Sequence, residues 1–221
     1  MYTEQSPLNS REVFDRIAPG WYGFRHHSIF TRELESLAQR WQSGKLLNIG
    51  CAHGPDFLPF TANFNLTGLD YSGQMLSLAR KYSLKFNFGV EPVLADAVHL
   101  PLADNAFDYA IAVAIYHHIE RTESRLSAFK ELRRVLKPGG EAFVTVWNRW
   151  QPRFWGRGHD TKVPWKTGGQ VMQRYYHLYS YRELAEQAKH AGLSILCISA
   201  ESTYKFPVKM FSRNICLLVR K

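Results

Sequence analysis

The sequence predicts an α/β protein, a six- or seven-stranded, mostly parallel sheet with helices on both faces. Short apolar runs without charge, such as Leu46, Leu47 and Ile49, read as strands buried on both sides. Helical stretches separate them, as in βαβ units. The glycine-bounded turn Gly50-Cys51-Ala52-His53-Gly54 stands directly after the first strand, and the second strand stops at an acid, Asp70.

Composition narrows the function classes. At 221 residues, 45% hydrophobic and 21% charged, the chain suits one globular domain over 1–221. Its 28 Lys+Arg against 19 Asp+Glu give a formal charge of +9, which points to an anionic partner. Cys51, Cys197 and Cys216 have neither the number nor the spacing for a disulfide framework or a zinc site, so no metal is expected and a reducing compartment fits. The N-terminus MYTEQSPLNS lacks a basic-then-apolar pattern, and no apolar run approaches ~18 residues. A cytoplasmic protein without a membrane partner is the expectation.

In chain order, Asn9 or Ser10 caps a first helix carrying Val13, Phe14 and Ile17, expected to break at Pro19-Gly20. The aromatic and basic run Trp21 to His27 leads into a helix from about Ser28 to Trp41. Residues 1–44 are thus placed either to fold over the ligand mouth as a helical lid or to cover the sheet. After the glycine turn, Pro55 suits the first position of a helix with Phe57, Leu58 and Phe60 on its apolar face. The second strand is Leu66 to Leu69, and Ser72 caps a helix with Met75, Leu76, Leu78 and Ala79 on one side. Val93 and Leu94 form a short third strand ending at Asp96-Ala97. Phe107 to Tyr116, with Tyr109, Ile111, Val113 and Ile115 alternating, is the central fourth strand and runs into His117-His118. Glu123 to Leu136 is a helix stopped by Lys137-Pro138-Gly139-Gly140, and Glu141 to Trp147 is the fifth strand. The capping box Ser180-x-x-Glu183 opens a helix with Leu184 and Ala188 that stops at Gly192. Ile195, Cys197 and Ile198 give the sixth strand, and Ile215 to Val219 the last.

Residues 149–180 differ in character. From Arg149 to Arg182 seven Lys/Arg stand against one acid, Asp160, interleaved with Trp150, Phe154, Trp155, Trp165, Tyr175, Tyr176 and Tyr179. Cations for phosphates beside flat rings for unstacked bases suit single-stranded RNA, so this segment is expected to be a substrate-binding insertion. The competing reading is a long loop folded on its own aromatic core.

The ligand follows from the first turn. Asp70 lies 20 positions after Gly50, the spacing at which a nucleoside-binding βαβ unit sets a carboxylate on two ribose hydroxyls. The turn lacks the third glycine of a dinucleotide fingerprint and carries no Lys or Arg, so it suits a zwitterion better than a pyrophosphate. S-adenosylmethionine is the common nucleoside that fits. Asp96-Ala97, at the end of the third strand, suits the exocyclic amine of its adenine.

These features resemble the class I S-adenosylmethionine-dependent methyltransferases over about Leu46 to Asn148 and the last two strands. The resemblance implies a Rossmann-like seven-stranded sheet, mostly parallel, with an antiparallel last strand. It implies cofactor contacts at Gly50, Cys51, His53, Gly54, Asp70, Tyr71, Asp96, Ala97 and Ala114. In the family's Gly-Cys-Gly-x-Gly loop the middle position is here Ala52, which is expected to hold the turn with a negative φ. A narrower group is also similar, the tRNA wobble-uridine carboxymethyl methyltransferases. Its motifs are matched by Phe14 to Ala18 followed by Arg25, by His117-His118, by Val163 to Trp165, and by Arg174 to Tyr179. This likeness implies esterification of a 5-carboxymethyl group on uridine 34, in the anticodon loop of tRNA. It also implies a small zinc-binding activator protein that covers an exposed apolar strand, for which the third strand with Phe86, Phe88 and Val93 is the candidate. Arg25 and Arg174 are expected to orient the carboxylate or nearby phosphates, with His117, Tyr175 and His177 lining the base pocket. A small-molecule or protein methyltransferase of the same fold is the competing function.

Overall fold

The structure, a computed structural model, describes residues 9–221; the first eight residues of the expected lid and of the polar N-terminus lie outside the described residues. The main sheet contains β1 (Gly44–Ile49), β2 (Phe64–Asp70), β3 (Glu91–Leu94), β4 (Phe107–Val113), β5 (Leu136–Trp147), β8 (Ser194–Ala200) and β9 (Asn214–Arg220). β6 (Asp160–Thr167) and β7 (Gln170–His177) form a separate hairpin. The seven strands lie in the order β3-β2-β1-β4-β5-β9-β8, parallel from β3 to β5, with β9 antiparallel to both its neighbours. This is the sheet that the resemblance implied. Among the described residues no helix is long and apolar enough to cross a membrane.

Strand alternation assigns side chains to two cores. Leu47, Ile49, Ala110, Ala112 and Val144 face α4 (Thr122–Val135) and α5 (Tyr181–His190). Leu46, Ile111, Val113 and Phe143 face α2 (Thr31–Trp41), the Pro55–Phe60 turn and Leu76 of α3 (Gly73–Lys85). Buried Glu141 ties three elements together at 2.8 Å each: it accepts from Arg40 and Trp41 of α2 and from Arg220 of β9.

Several boundaries depart from expectation. Helix α1 (Ser10–Phe24), capped by Asn9, continues through Pro19-Gly20. The proline removes one backbone bond, whereas continuing the helix carries Trp21 onto Trp165, with ring centroids 5.2 Å apart. Pro55–Phe60 is a 3-10 helix rather than an α-helix, since Pro59 has no N–H for the Pro55 carbonyl. β4 stops at Val113 and not Tyr116, because Ala114 turns to φ +57 and its N–H bonds Thr145 across the strand. Helix α4 passes without a break into β5, with Lys137-Pro138-Gly139-Gly140 already inside the strand. The expected loop at 149–180 contains the β6–β7 hairpin, turned by Gly168-Gly169 at φ +53 and +76. Strand β3 does lie at the sheet edge, but Phe86, Phe88 and Val93 are half-buried; the exposed apolar groups there are Leu84 and Leu94, 83% and 53% exposed.

Candidate active site

The carboxyl ends of β1, β2 and β4 open into a cavity of about 530 Å³, in the size range of small-molecule sites. Its floor is the turn after β1. Gly50 has φ +68, and a Cβ there would meet Ile115 Cδ1 at 2.2 Å, so only glycine fits. Ala52 departs from expectation: its φ is +47, a left-handed conformation that costs an L-residue about 1–2 kcal/mol. What holds it there is its N–H, which donates to Asp70 Oδ2 at 2.9 Å. The other Asp70 oxygen accepts from Ser72 N at 2.9 Å, and the Ser72 hydroxyl, which caps α3, donates to Asp15 of α1 at 2.6 Å. One carboxylate thus fixes the strained turn and the start of α3, and through Ser72 the first helix. Burial pushes its pKa up to about 6.

Of the residues expected at the cofactor, Gly50, Asp70, Tyr71, Asp96, Ala97 and Ala114 line this cavity. Asp96 Oδ1 accepts from Val98 N at 3.1 Å, which holds the Asp96-Ala97 corner. Cys51, His53 and Gly54 do not line it. Cys51 is buried and its N–H joins Leu69 O. His53 Nε2 meets the Arg25 carbonyl at 2.6 Å, and burial holds its pKa down to about 4, so the neutral ring pins the end of α1 to the turn. Gly54, at φ +93, starts the Pro55 helix. A bare, uncharged turn at one end, Asp70 in the middle and the Asp96-Ala97 corner match methionine, ribose and adenine in turn, so the residues present fit S-adenosylmethionine.

The opposite wall comes from α1, the β4 turn and the hairpin. Arg25, Trp21, Phe14, His117, His118, Trp147 and Tyr176 line it. Along β7 the alternation turns Met172 and Arg174 toward α1, where Arg174 lies over Trp21 just outside the cavity lining, and Tyr176 into the cavity, with Tyr175 and His177 turned away. Tyr176, stacked on Trp147 (4.1 Å) and on His117 (4.9 Å), therefore occupies the place expected for Tyr175. Tyr175 instead donates its hydroxyl proton to Asp160, with the Glu120 carbonyl also close by, and His177 sits between Asp160 and Glu183. Neither of those two side chains reaches the cavity.

Arg25 and Arg174 converge on one ring, their Cζ atoms 5.0 and 5.8 Å from the centroid of Trp21; Arg174 also lies over Trp165 and Tyr176. Among the described residues neither guanidinium forms an ion pair, and Arg174 Nε is buried without a hydrogen-bond partner. Burial lowers the pKa of both. Buried Asp56, which the sequence reading passed over, lines the cavity too, its pKa raised to about 6 by burial. His117 Nδ1 accepts from Trp147 N at 3.2 Å and His118 Nδ1 meets the Tyr175 carbonyl at 2.9 Å. Burial drives both rings well below the ordinary histidine range, so both are neutral at pH 7. In His117 the proton is therefore on Nε2.

Comparison with known proteins agrees with this geometry. Residues 47–144 match a family model described as a methyltransferase domain. A tRNA (carboxymethyluridine(34)-5-O)-methyltransferase of Schizosaccharomyces pombe is 31% identical over 214 residues, covering 84% of this chain and 88% of that protein. A probable tRNA methyltransferase 9B of Homo sapiens is 29% identical over 153 residues; the match covers 69% of this chain but 32% of the longer human protein. Among solved structures, a complex between the Haloferax volcanii Trm112 methyltransferase activator and the putative methyltransferase shares the fold, with TM-score 0.70 and 17% identity over 96% of this chain and 97% of that one.

Proposed function

This chain belongs to the S-adenosylmethionine-dependent methyltransferases, and on that basis we propose that it esterifies the carboxylate of 5-carboxymethyluridine at the tRNA wobble position. The observation that carries the proposal is the pair of guanidiniums, half-buried Arg25 and buried Arg174, that converge beside the aromatic wall of the cofactor cavity without a direct ion pair among the described residues, Asp56 acting on Arg25 only at a distance. Asp56 offsets Arg25 in part and no acid acts on Arg174, so two guanidiniums side by side with one carboxylate leave room for an anion from outside. The relative from S. pombe supports the choice of that anion.

When bound, S-adenosylmethionine supplies a methyl group on an electrophilic sulfonium. The chain's own residues have the task of orientation. A carboxylate is ionised at pH 7 and needs no base, which agrees with two wall histidines whose burial makes them weak proton acceptors. Arg25 and Arg174 grip the carboxylate without taking a proton from it, and hold it in line with the methyl carbon. Trp147 and Tyr176 provide a stacked surface for uracil, and His117 Nε2–H donates to a base oxygen. On this reading the described part of the expected lid, residues 9–44, covers the cavity and 149–180 is the substrate-binding insertion. The three free cysteines accord with a reducing, cytoplasmic setting. Exposed Leu84 and Leu94 at the β3 edge suit an activator subunit like the one in the Haloferax complex.

The test is methyl transfer from labelled cofactor to tRNA isolated from cells that lack this protein, with wobble nucleosides read by mass spectrometry. The methyl ester should appear on addition of the enzyme, with an activator subunit if one is needed. Labelling of a small molecule or a protein with no ester in tRNA overturns the proposal. Transfer RNA affinity should also fall steeply between 50 and 200 mM salt.

A further inference from the structure

We propose that His159, His177 and Glu183 form a zinc site on the side of the hairpin turned away from the cavity. Their donor atoms lie within 4.8 Å of one another and come from three segments: the residue before β6, the last residue of β7 and the first turn of α5. Two imidazoles and one carboxylate are a ligand set that binds zinc tetrahedrally with a fourth position left for water.

Three features go beyond proximity. His177 is buried, and its Nδ1 bonds Asp160 Oδ1 at 2.8 Å, which fixes the ring so that Nε2 faces Glu183 Oε1 at 2.6 Å. An acid behind a histidine in this way is the usual support for a metal ligand. Glu183, secondly, stands where a capping box would return its carboxylate to Ser180, yet the box is only half made. Ser180 Oγ accepts from Glu183 N at 3.1 Å, while the Glu183 carboxylate turns to His177 and its Oε2 is buried without a hydrogen-bond partner. His159, thirdly, lies parallel to His177 with ring centroids 5.7 Å apart, and its Nδ1 is 3.6 Å from that same Oε2. The separations of 2.6 and 3.6 Å bracket the roughly 3.4 Å between donors that stand about 2.1 Å from a tetrahedral ion.

The charge also balances, since Asp160 and Glu183 together offset a divalent cation. The His159 side chain is 44% exposed, so the cluster is open to solvent on that side. Arg149 touches His159 Nε2 on its outer side and already lies over the Trp150 ring at 4.6 Å. With Nδ1 on the ion, Nε2 carries the imidazole proton and the guanidinium rests on Trp150. Such a site clamps the hairpin to α5, and the other face of β7 carries Arg174 and Tyr176. The inference does not depend on the tRNA assignment.

The test uses the full chain, stripped with chelator and titrated separately with Zn²⁺ and Co²⁺. One equivalent of zinc should bind by calorimetry and raise Tm by several degrees, and cobalt should give the visible absorption of a tetrahedral site, bleached by zinc. His159→Ala and Glu183→Gln should each weaken zinc at least tenfold and Asp160→Asn about tenfold, while Cys197→Ser leaves it unchanged. Cofactor binding by calorimetry checks that each variant is folded, and if Glu183→Gln fails to fold, His159→Ala decides. No zinc uptake by the parent chain, or uptake unchanged in His159→Ala, overturns the proposal.

Discussion

Replacing Gly50 by alanine tests the floor of the cavity most directly. At φ +68 the new residue carries left-handed strain of about 1–2 kcal/mol, and its Cβ would sit 2.2 Å from Ile115 Cδ1 and 2.9 Å from Ile115 Cβ and Cγ1. That clash adds an overpacking cost of about 1–3 kcal/mol. Together they predict a loss near 3 kcal/mol, or roughly 10 °C in Tm for a domain of this size. The two parts separate in a double-mutant cycle. Ile115 is half-buried, so Ile115→Ala alone should cost about 1–2 kcal/mol. In the double variant the contacts with Cδ1 and Cγ1 are gone, while the 2.9 Å approach to Cβ and the backbone strain remain, which leaves a favourable coupling of about 1–2 kcal/mol. Urea unfolding with an unchanged m-value measures all four corners. Additive losses, with coupling under about 0.5 kcal/mol, would refute the contact as the reason for glycine.

Further outcomes follow from the site and the sheet. Arg25→Ala should lower kcat/KM on carboxymethylated tRNA by about 10- to 100-fold, the value of a charged hydrogen bond, with cofactor affinity nearly intact in calorimetry; unchanged turnover removes Arg25 from the site. On the proposed reading Asp70, held up to about 6 by burial, accepts ribose hydroxyls as the ion, so cofactor affinity should fall as pH drops through 6, by about tenfold at pH 5. An Asp70→Asn variant that kept the same pH profile would transfer that role to Asp56, which titrates in the same range. The hydrogen bond from Arg40, with Arg220 and Trp41 assisting, holds Glu141 down to about 2. Its folded pKa lies below the ordinary 4.5, so it stabilises above that value and the contribution is lost as pH falls toward 2. Glu141→Gln should therefore unfold more readily in urea at pH 6 than the parent, with the gap closing near pH 2; a gap constant with pH would contradict the pairing.

The sheet was legible because strands buried on both faces leave uncharged runs, and because Asp70 follows Gly50 at the nucleoside spacing. The hairpin was not. Pro164 and the charges of Lys162 and Lys166 mask β6 as a strand, and the one plain sign, Gly168-Gly169 between two runs of equal length, is a two-residue turn signal that went unused. At Tyr175 and Tyr176 the sequence offers two identical rings, and only the strand's phase decides which one faces inward. His53 shows the opposite failure: the glycine loop suggested a ligand contact, while the structure uses the ring to anchor α1. Ala52 was expected at negative φ because glycine is the usual left-handed residue; what overrides that preference is a bond to an acid 18 positions away.

The parity of β7 limits how this arm can change in length. Lengthening or shortening the chain by one residue between Gly168 and Arg174 would turn Tyr175 and His177 toward α1 and send the guanidinium and the stacking ring to the α5 side. Insertions or deletions here are therefore tolerable in twos, and relatives that keep the chemistry should differ in this arm by even numbers of residues.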